Sequence, residues 1–489
     1  MKKTKSGSIC CMAVILCFTL ILLSGCGVLL FNSPAGNAPQ TDPSDTTGPL
    51  SPGNDFESVT HNYSSEILQF RRDLSGEGYK GAAVKIVTTK KNTILPEESA
   101  GVAISEELNR RNRYVEEMLQ VTITSARTNP GTLGDEIRAA VRSDSYFSDL
   151  ILFPQSYISD FGASGLLMNL RSLPGLKPEA GYFNATGTSA GTGGDMVYAL
   201  TGYAGLQPDA LSGIYFNRSL MEKLDLDSPY ALVDSGDWTM DRYLEYTAAL
   251  SGLDGEYYSY AAQNTSVYLP DLLFFSGGQR LVESKPGAFP RIAFTSEDTL
   301  DLFTKIVAIV YDENAYGNAL EGISAFDSGN TLFLIDRLSA MKTIANSKTD
   351  WGLLPLPKYS ADQEGYPTLA YYEDALFFGA LPTVTNVQKA SDVLMALNIT
   401  SYGMAVDAHV TNASFLYLRD NDSIRMLDVI LRNAVYDFSY TFAGANNAIP
   451  SATFSAVRNV TGGISDMQRY QDMWGAGFQN AMYNLFTVN

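Results

Sequence analysis

Three tyrosines, three acidic residues, one arginine and one glutamine stand where the chain could offer them to a ligand. Tyr371-Tyr372-Glu373-Asp374 sets two rings beside two carboxylates, directly before the apolar run at 375–378. A charge beside a buried strand is costly unless it is paired or hydrogen-bonded, so Glu373 and Asp374 either bind hydroxyl groups or form ion pairs. Arg337 follows the apolar run at 332–335 and can pair with either carboxylate or meet a ligand itself. Gln155 follows the apolar stretch 149–153, Tyr203 sits in Thr-Gly-Tyr-Ala-Gly, and Asp271 lies in Tyr-Leu-Pro-Asp-Leu-Leu. Together these groups suit a hydroxyl-bearing ligand: ring faces stack on apolar C–H patches, while amides and carboxylates pair with hydroxyls. The chain has 28 Tyr and only 3 Trp, so stacking falls to tyrosine. The plainer alternatives are packing for the tyrosines and solvation for Gln155.

Covalent chemistry finds less support. Gly187-Thr188-Ser189-Ala190-Gly191 fits G-x-S-x-G, but a nucleophile elbow needs an apolar strand before the serine and a helix after it. Here the flanks are polar and rich in glycine, and His409 is the one histidine that follows. Asp225, Asp227, Asp234 and Asp237 lack the spacing and closing glutamate of a calcium loop, and no P-loop or H-E-x-x-H occurs. The expectation is no catalytic residue, no metal and no cofactor.

The positioning elements follow from pattern. Strand composition at 83–88, a helix capped by Ser105 and running to Leu119, a strand at 121–125, a helix at 133–142 opened by Thr132 with Asp135, and the apolar strand 149–153 imply a parallel sheet flanked by helices. Crevices in such sheets form outside the carboxyl ends of the strands, which is where Gln155 falls. Asn217 and Thr239 read as N-caps of two further helices, and Thr295 as the cap of a helix with Leu300, Phe303, Ile306, Val307 and Val310 on one face. Helical patterns at 387–398, 424–434 and 464–486 complete the chain, and Trp238, Trp351 and Trp474 read as core.

Several stretches carry a resemblance. G-I-Y-F-N followed by a capped helix, an Asp/Pro loop and D-W-T, the F-D-S-G-N-T-L-F-L-I element at 326–335, and D-W-G-L-L-P-L-P-K at 350–358 resemble the bacterial solute-binding proteins of ABC importers, in the sugar-type group that includes maltose-binding protein. The resemblance covers nearly all of the chain after the leader. It implies an α/β chain with a two-lobed, type II periplasmic-binding-protein-like fold, three crossings between lobes and a cleft beside them. The crossings are expected near 213–216, 326–335 and 371–378, so that 80–202 with 333–373 form lobe one and 203–332 with 374–489 form lobe two. It also implies a saccharide ligand, ABC permease subunits as partners, and a ligand site drawn from Gln155, Tyr203, Asp271, Arg337, Tyr371, Tyr372, Glu373 and Asp374; Asn446 and Asn447, in the loop A-G-A-N-N-A-I-P, are weaker candidates on composition alone. A monomeric receptor without enzymatic activity is expected. A peptide or another polar solute as ligand, or a glycan-active hydrolase, remain the alternatives.

The leader sets the location. Lys2, Lys3 and Lys5 precede an apolar core at 9–23, and Leu23-Ser24-Gly25-Cys26 matches a lipobox. Residues 1–25 read as a lipoprotein signal peptide, Cys26 as the lipidated residue, and 26–79 as a tether rich in Pro, Gly, Ser and Asp. The expected location is the outer face of a bacterial cell membrane, held by the lipid. All four cysteines lie in the leader, which excludes a disulfide framework in the exported part. Without residues 1–25 the 34 basic residues fall to 31 against 53 acidic ones, a net charge of −22, which argues against nucleic acid as a partner.

Overall fold

The structure, a computed structural model, describes residues 78–487 apart from 98, 266, 286, 295–298 and 444–447. The leader, Cys26, most of the tether, the Thr295 cap and Asn446 with Asn447 therefore lie outside the described residues. In chain order, the elements that position the site are β1 (Ala82–Thr88), α1 (Val102–Leu119), β2 (Val121–Arg127), α2 (Pro130–Arg142), β3 (Leu150–Pro154), α3 (Ala185–Ala190), β4 (Ser212–Asn217), α4 (Arg218–Lys223), α5 (Met240–Ala248), β5 (Tyr258–Ala261) and α6 (Leu269–Ser276). They continue with β6 (Thr331–Arg337), β7 (Trp351–Leu354), β8 (Leu376–Gly379), α7 (Val387–Ser401), α8 (Ala405–Leu416), α9 (Asn421–Arg432), α10 (Phe438–Thr441) and α11 (Phe454–Arg458).

Local chemistry explains several of these boundaries. Asn217 Oδ1 accepts the Leu220 N–H at 3.2 Å and Thr239 Oγ1 accepts that of Arg242 at 3.4 Å, so both expected caps open their helices. Two other starts differ. Helix α1 begins at Val102, before Ser105, and α2 is capped by Asn129 with Pro130 in its first turn, a position where proline forfeits no helical hydrogen bond. Strand β3 is buried at all five residues, as an apolar strand inside a sheet must be.

Two four-stranded sheets carry the fold. The first has the order β8-β3-β1-β2, with β1 parallel to β2 and β3, and β8 antiparallel to β3. The second has the order β7-β4-β6-β5, with β4 antiparallel to both β6 and β7 and β6 parallel to β5. Trp238 and Trp351 are buried, and their indole N–H groups donate to Pro355 O at 3.0 Å and Ile344 O at 2.9 Å. Among the described residues no helix is long and apolar enough to cross a membrane.

Strand pairing divides the second half of the chain differently from the sequence expectation. Residues 333–373 are expected in lobe one with β1 to β3, yet β6 and β7 both pair with β4 in the second sheet. Residues 374–489 are expected in lobe two with β4, yet β8 pairs with β3 in the first sheet, and α7 and α8 pack on α1. Helix α9 then packs on β7. The stretch at 326–335 is thus not a return to the first sheet, and the return falls at 370–376. Apolar runs reveal strands but not which neighbours they take, because pairing depends on partners far away in sequence.

Candidate functional site

Strand β6 ends in Asp336-Arg337, and its end is pinned. The buried Asp336 carboxylate accepts the Arg337 N–H at 2.7 Å and the Asn264 side-chain amide at 3.2 Å. Arg337 then projects a guanidinium whose Nε donates to the Tyr268 hydroxyl at 3.1 Å and whose Nη1 donates to Asp374 Oδ2 at 2.8 Å. The same guanidinium lies 3.8 Å from the centre of the Tyr371 ring, a cation over a π face. The other Asp374 oxygen takes Lys90, which follows β1 and also donates to the Asp374 carbonyl at 3.3 Å. One carboxylate therefore gathers a cation from each sheet. The segment carrying it is fixed by backbone bonds: Tyr371 N donates to Ala210 O at 2.8 Å and Gln155 N to Ala375 O at 2.9 Å.

From Arg337 a row of rings leads inward. Tyr268 stacks on Tyr371 with centroids 5.1 Å apart, and Tyr371 meets Tyr372 at 4.9 Å. Tyr372 then stacks on Tyr440 at 5.4 Å, and Tyr440 on Phe454 at 4.8 Å. The Arg458 guanidinium closes the row 4.6 Å from the Phe454 centroid. Underneath sits Asp271 at the start of α6, with no exposed surface, accepting the Tyr440 hydroxyl at 2.8 Å and Arg458 Nε at 2.7 Å. Burial raises this carboxyl to about 6, against the pull of Arg458 and Tyr440. Tyr371 also donates to Glu373 at 3.0 Å, and burial first, then that bond, pushes its phenol up. Tyr268, Tyr440 and Phe454 are buried in the core and serve as backing, so the groups left to meet a polar ring-bearing molecule are the half-buried Tyr371 and Tyr372 with Arg337 and Arg458.

No protein-family model matches the chain, and no curated protein matches it. Solved structures do. The galacto-N-biose/lacto-N-biose I-binding protein of an ABC transporter from Bifidobacterium longum, in complex with lacto-N-biose, is 11% identical with a TM-score of 0.51, covering 83% of this chain and 98% of its own. The cyclic alpha-maltosyl-1,6-maltose binding protein from Arthrobacter globiformis is 13% identical with a TM-score of 0.51, covering 83% and 99%. A family 1 extracellular solute-binding protein from Bifidobacterium longum subsp. infantis is 12% identical with a TM-score of 0.50, covering 81% and 99%. This chain has the solute-binding-protein fold.

Within that fold, the expected residues Arg337, Tyr371, Tyr372, Glu373 and Asp374 come together. Three others do not join them as expected. Asp271 is sealed beneath the ring row, so it positions Tyr440 and Arg458 instead of facing a ligand. Gln155 does follow β3, but it is buried, with Nε2 donating to Asp437 O at 2.8 Å and Thr441 Oγ1 at 3.1 Å. Its Nε2 ties the end of β3 to α10, while its Oε1 is buried with no hydrogen-bond partner among the described residues. Tyr203 stands apart, edge-on to Tyr402 at 5.0 Å, in a separate 280 Å³ cavity with Phe183 and Tyr436.

Sequence pattern does not single out Lys90, Tyr268, Tyr440, Phe454 or Arg458. One signal was present: Phe454 and Arg458 are four apart and share a helix face. The G-x-S-x-G stretch builds helix α3, where Ser189 donates to Ser284 O at 2.7 Å. A Cβ on Gly191 would lie 2.0 Å from Ala199 O, so this glycine serves a close backbone approach. Among the described residues no group of three His, Cys, Asp or Glu could hold a metal ion.

Proposed function

We propose that this chain is a receptor that captures a carbohydrate, an oligosaccharide, at the Arg337–Tyr371 site and hands it to the permease of an ABC importer. The observation that carries this reading is the pair of half-buried rings Tyr371 and Tyr372 beside the Arg337–Asp374 ion pair, backed by the buried rings Tyr268, Tyr440 and Phe454. Guanidinium and phenol groups pair with ring hydroxyls while aromatic carbons meet C–H faces. The solved proteins of the same fold whose names state a saccharide ligand support the choice of solute. Lys90 and Arg337 approach from different sheets, and a ligand that touches both sides shifts an opening and closing equilibrium by its differential contacts. The receptor performs no catalysis. A lipid at Cys26 tethers it to the outer face of the membrane.

A thermal-shift screen of the full chain against mono- and oligosaccharides, with amino acids and short peptides as controls, tests the reading. Ligand at 100 times its Kd adds about 2.7 kcal/mol of stability. A saccharide that raises the melting temperature without being cleaved supports the receptor. A shift by peptides with saccharides silent replaces the ligand class, and turnover of a saccharide replaces the receptor by an enzyme.

A further inference from the structure

Arg458 is held firmly and used only in part. Its Nε donates to the fully buried Asp271 at 2.7 Å and its guanidinium lies 4.6 Å from the Phe454 ring centre, so its direction is set from beneath. Its Nη1 and Nη2 make no hydrogen bond among the described residues. We propose that these two nitrogens receive an anionic group, a carboxylate or a sulfate, and that the saccharide captured by this receptor is an acidic one. The proposal rests on the carbohydrate reading above and names the class of ligand for the same site.

Position ties this fork to the half-buried rings. Burial raises the Tyr372 phenol and the Arg458 charge opposes it, so the guanidinium stands beside a ring that the site presents. The Arg458 side chain keeps 23% exposure against 0% for Asp271, so the cation reaches solvent where its carboxylate does not. The chain as a whole carries a net charge of −19, so this cation and Arg337 are a local exception to an acidic surface.

Around the rings, donors are in surplus and acceptors are spent. Asp374 gives one oxygen to Arg337 and the other to Lys90. Asp271 is sealed, and its Oδ2 takes both Tyr440 and Arg458. The exposed Glu373 takes the Tyr371 hydroxyl at 3.0 Å through one oxygen and keeps the other. On the donor side, Arg337 Nη2 joins the two Arg458 nitrogens in making no hydrogen bond among the described residues. Free donors therefore outnumber the carboxylate oxygens left to accept. A neutral hydroxyl both gives and takes a hydrogen bond, which such a wall answers only by half, whereas an anionic oxygen only accepts. The planar Nη1 and Nη2 fork matches two oxygens of a carboxylate or sulfate side by side, and charge-assisted bonds of that kind are roughly twice as strong as neutral ones.

The test is calorimetric titration of the full chain with sialyllactose, sulfated lactose and lactose, and with trigalacturonate and its methyl ester. It is repeated for the paired variant Asp271→Asn with Arg458→Gln and for Arg458→Lys. Sulfated lactose with lactose, and trigalacturonate with its ester, share a skeleton and differ in charge, while sialylated against sulfated lactose separates carboxylate from sulfate. Arg458→Gln alone would strand a buried carboxylate, so Asp271 is neutralised with it. Arg458→Lys keeps a cation for Asp271 and decides the matter if the paired variant fails to melt cooperatively. The proposal predicts that an acidic probe binds the unaltered chain about tenfold or more tighter than its neutral counterpart, that this preference falls to within about twofold in the paired variant, and that Arg458→Lys loses about tenfold in affinity for the acid. A neutral counterpart bound as tightly as the acid, or a preference that survives in the folded variants, overturns the acidic ligand while leaving the receptor. If no acidic probe binds while a neutral saccharide of the thermal-shift screen does, this inference falls and the carbohydrate reading stands. If no saccharide of either kind binds, both fall.

Discussion

Tyr440 donates its hydroxyl to Asp271 at 2.8 Å, and the carboxylate oxygen that accepts it also takes Arg458 Nε at 2.7 Å. One buried acid thus sets both the fourth ring of the row and the cation at its end. An arginine on a flexible stem keeps a fixed direction only if something orders it, and ordering a long side chain costs entropy. Here the cost falls on the folded protein before a ligand arrives.

Asp271→Asn separates stability from binding. Asp271 has a folded pKa of about 6 against an ordinary 3.8, so the folded state binds its proton more tightly than the unfolded one. The stability this contributes is complete below pH 4 and lost as pH rises through 6. Relative to Asp271→Asn, the unaltered chain therefore declines by roughly 3 kcal/mol between pH 4 and 7, read as the difference between two urea-denaturation series. Ligand affinity at pH 8 moves the other way, falling roughly fivefold in the variant, because a neutral amide holds Arg458 about 1 kcal/mol less firmly.

Arg337→Lys keeps the charge and loses the planar fork that reaches Tyr268, Asp374 and the Tyr371 face together. A point charge does not reproduce that geometry. Affinity for the bound saccharide falls roughly 10- to 100-fold, in line with hydrogen bonds from charged groups worth about 1.5–3 kcal/mol. Calorimetric titration measures it directly.

Tyr203→Ala marks where the site ends. The ring contacts Tyr402 in its own cavity, away from the row, so the variant loses about 2 kcal/mol of stability and binds ligand within twofold of the unaltered chain. Loss of binding with stability intact would move the site to Tyr203.

Gly191→Ala and Ser189→Ala separate packing from catalysis in the G-x-S-x-G stretch. The alanine at 191 meets backbone oxygen that cannot yield and destabilises by about 3 kcal/mol, whereas Ser189→Ala removes one hydrogen bond worth about 1 kcal/mol. Neither changes hydrolysis of a chromogenic ester, which stays at the uncatalysed rate. Thermal melts and an ester assay read the two effects.

The strands were legible because β1, β3, β4 and β6 are apolar runs, and the caps at Asn217 and Thr239 because an N-cap is local chemistry. Which sheet β6, β7 and β8 join was not, since pairing is set by neighbours from about 70 to more than 200 residues away. The same division holds in the site. Tyr371, Tyr372, Glu373 and Asp374 stood out as rings and charges against a buried strand, and Arg337 as a cation at a strand end. Tyr440, Phe454 and Arg458 lie on short helices whose meeting with Tyr372 is a tertiary fact. Gln155 was placed correctly at a strand end, but whether its amide faces inward or outward has no signature in a single sequence.

The most direct test of the central claim is calorimetric titration of the full chain with the saccharide that most raises its melting temperature, run in parallel on Tyr372→Ala. Tyr372 joins the two halves of the ring row, between Tyr371 and Tyr440. The account predicts one saccharide bound per chain and a loss of at least tenfold in affinity when that ring is removed from a variant that still melts cooperatively. An affinity unchanged by the loss of Tyr372 would place the saccharide elsewhere and contradict it.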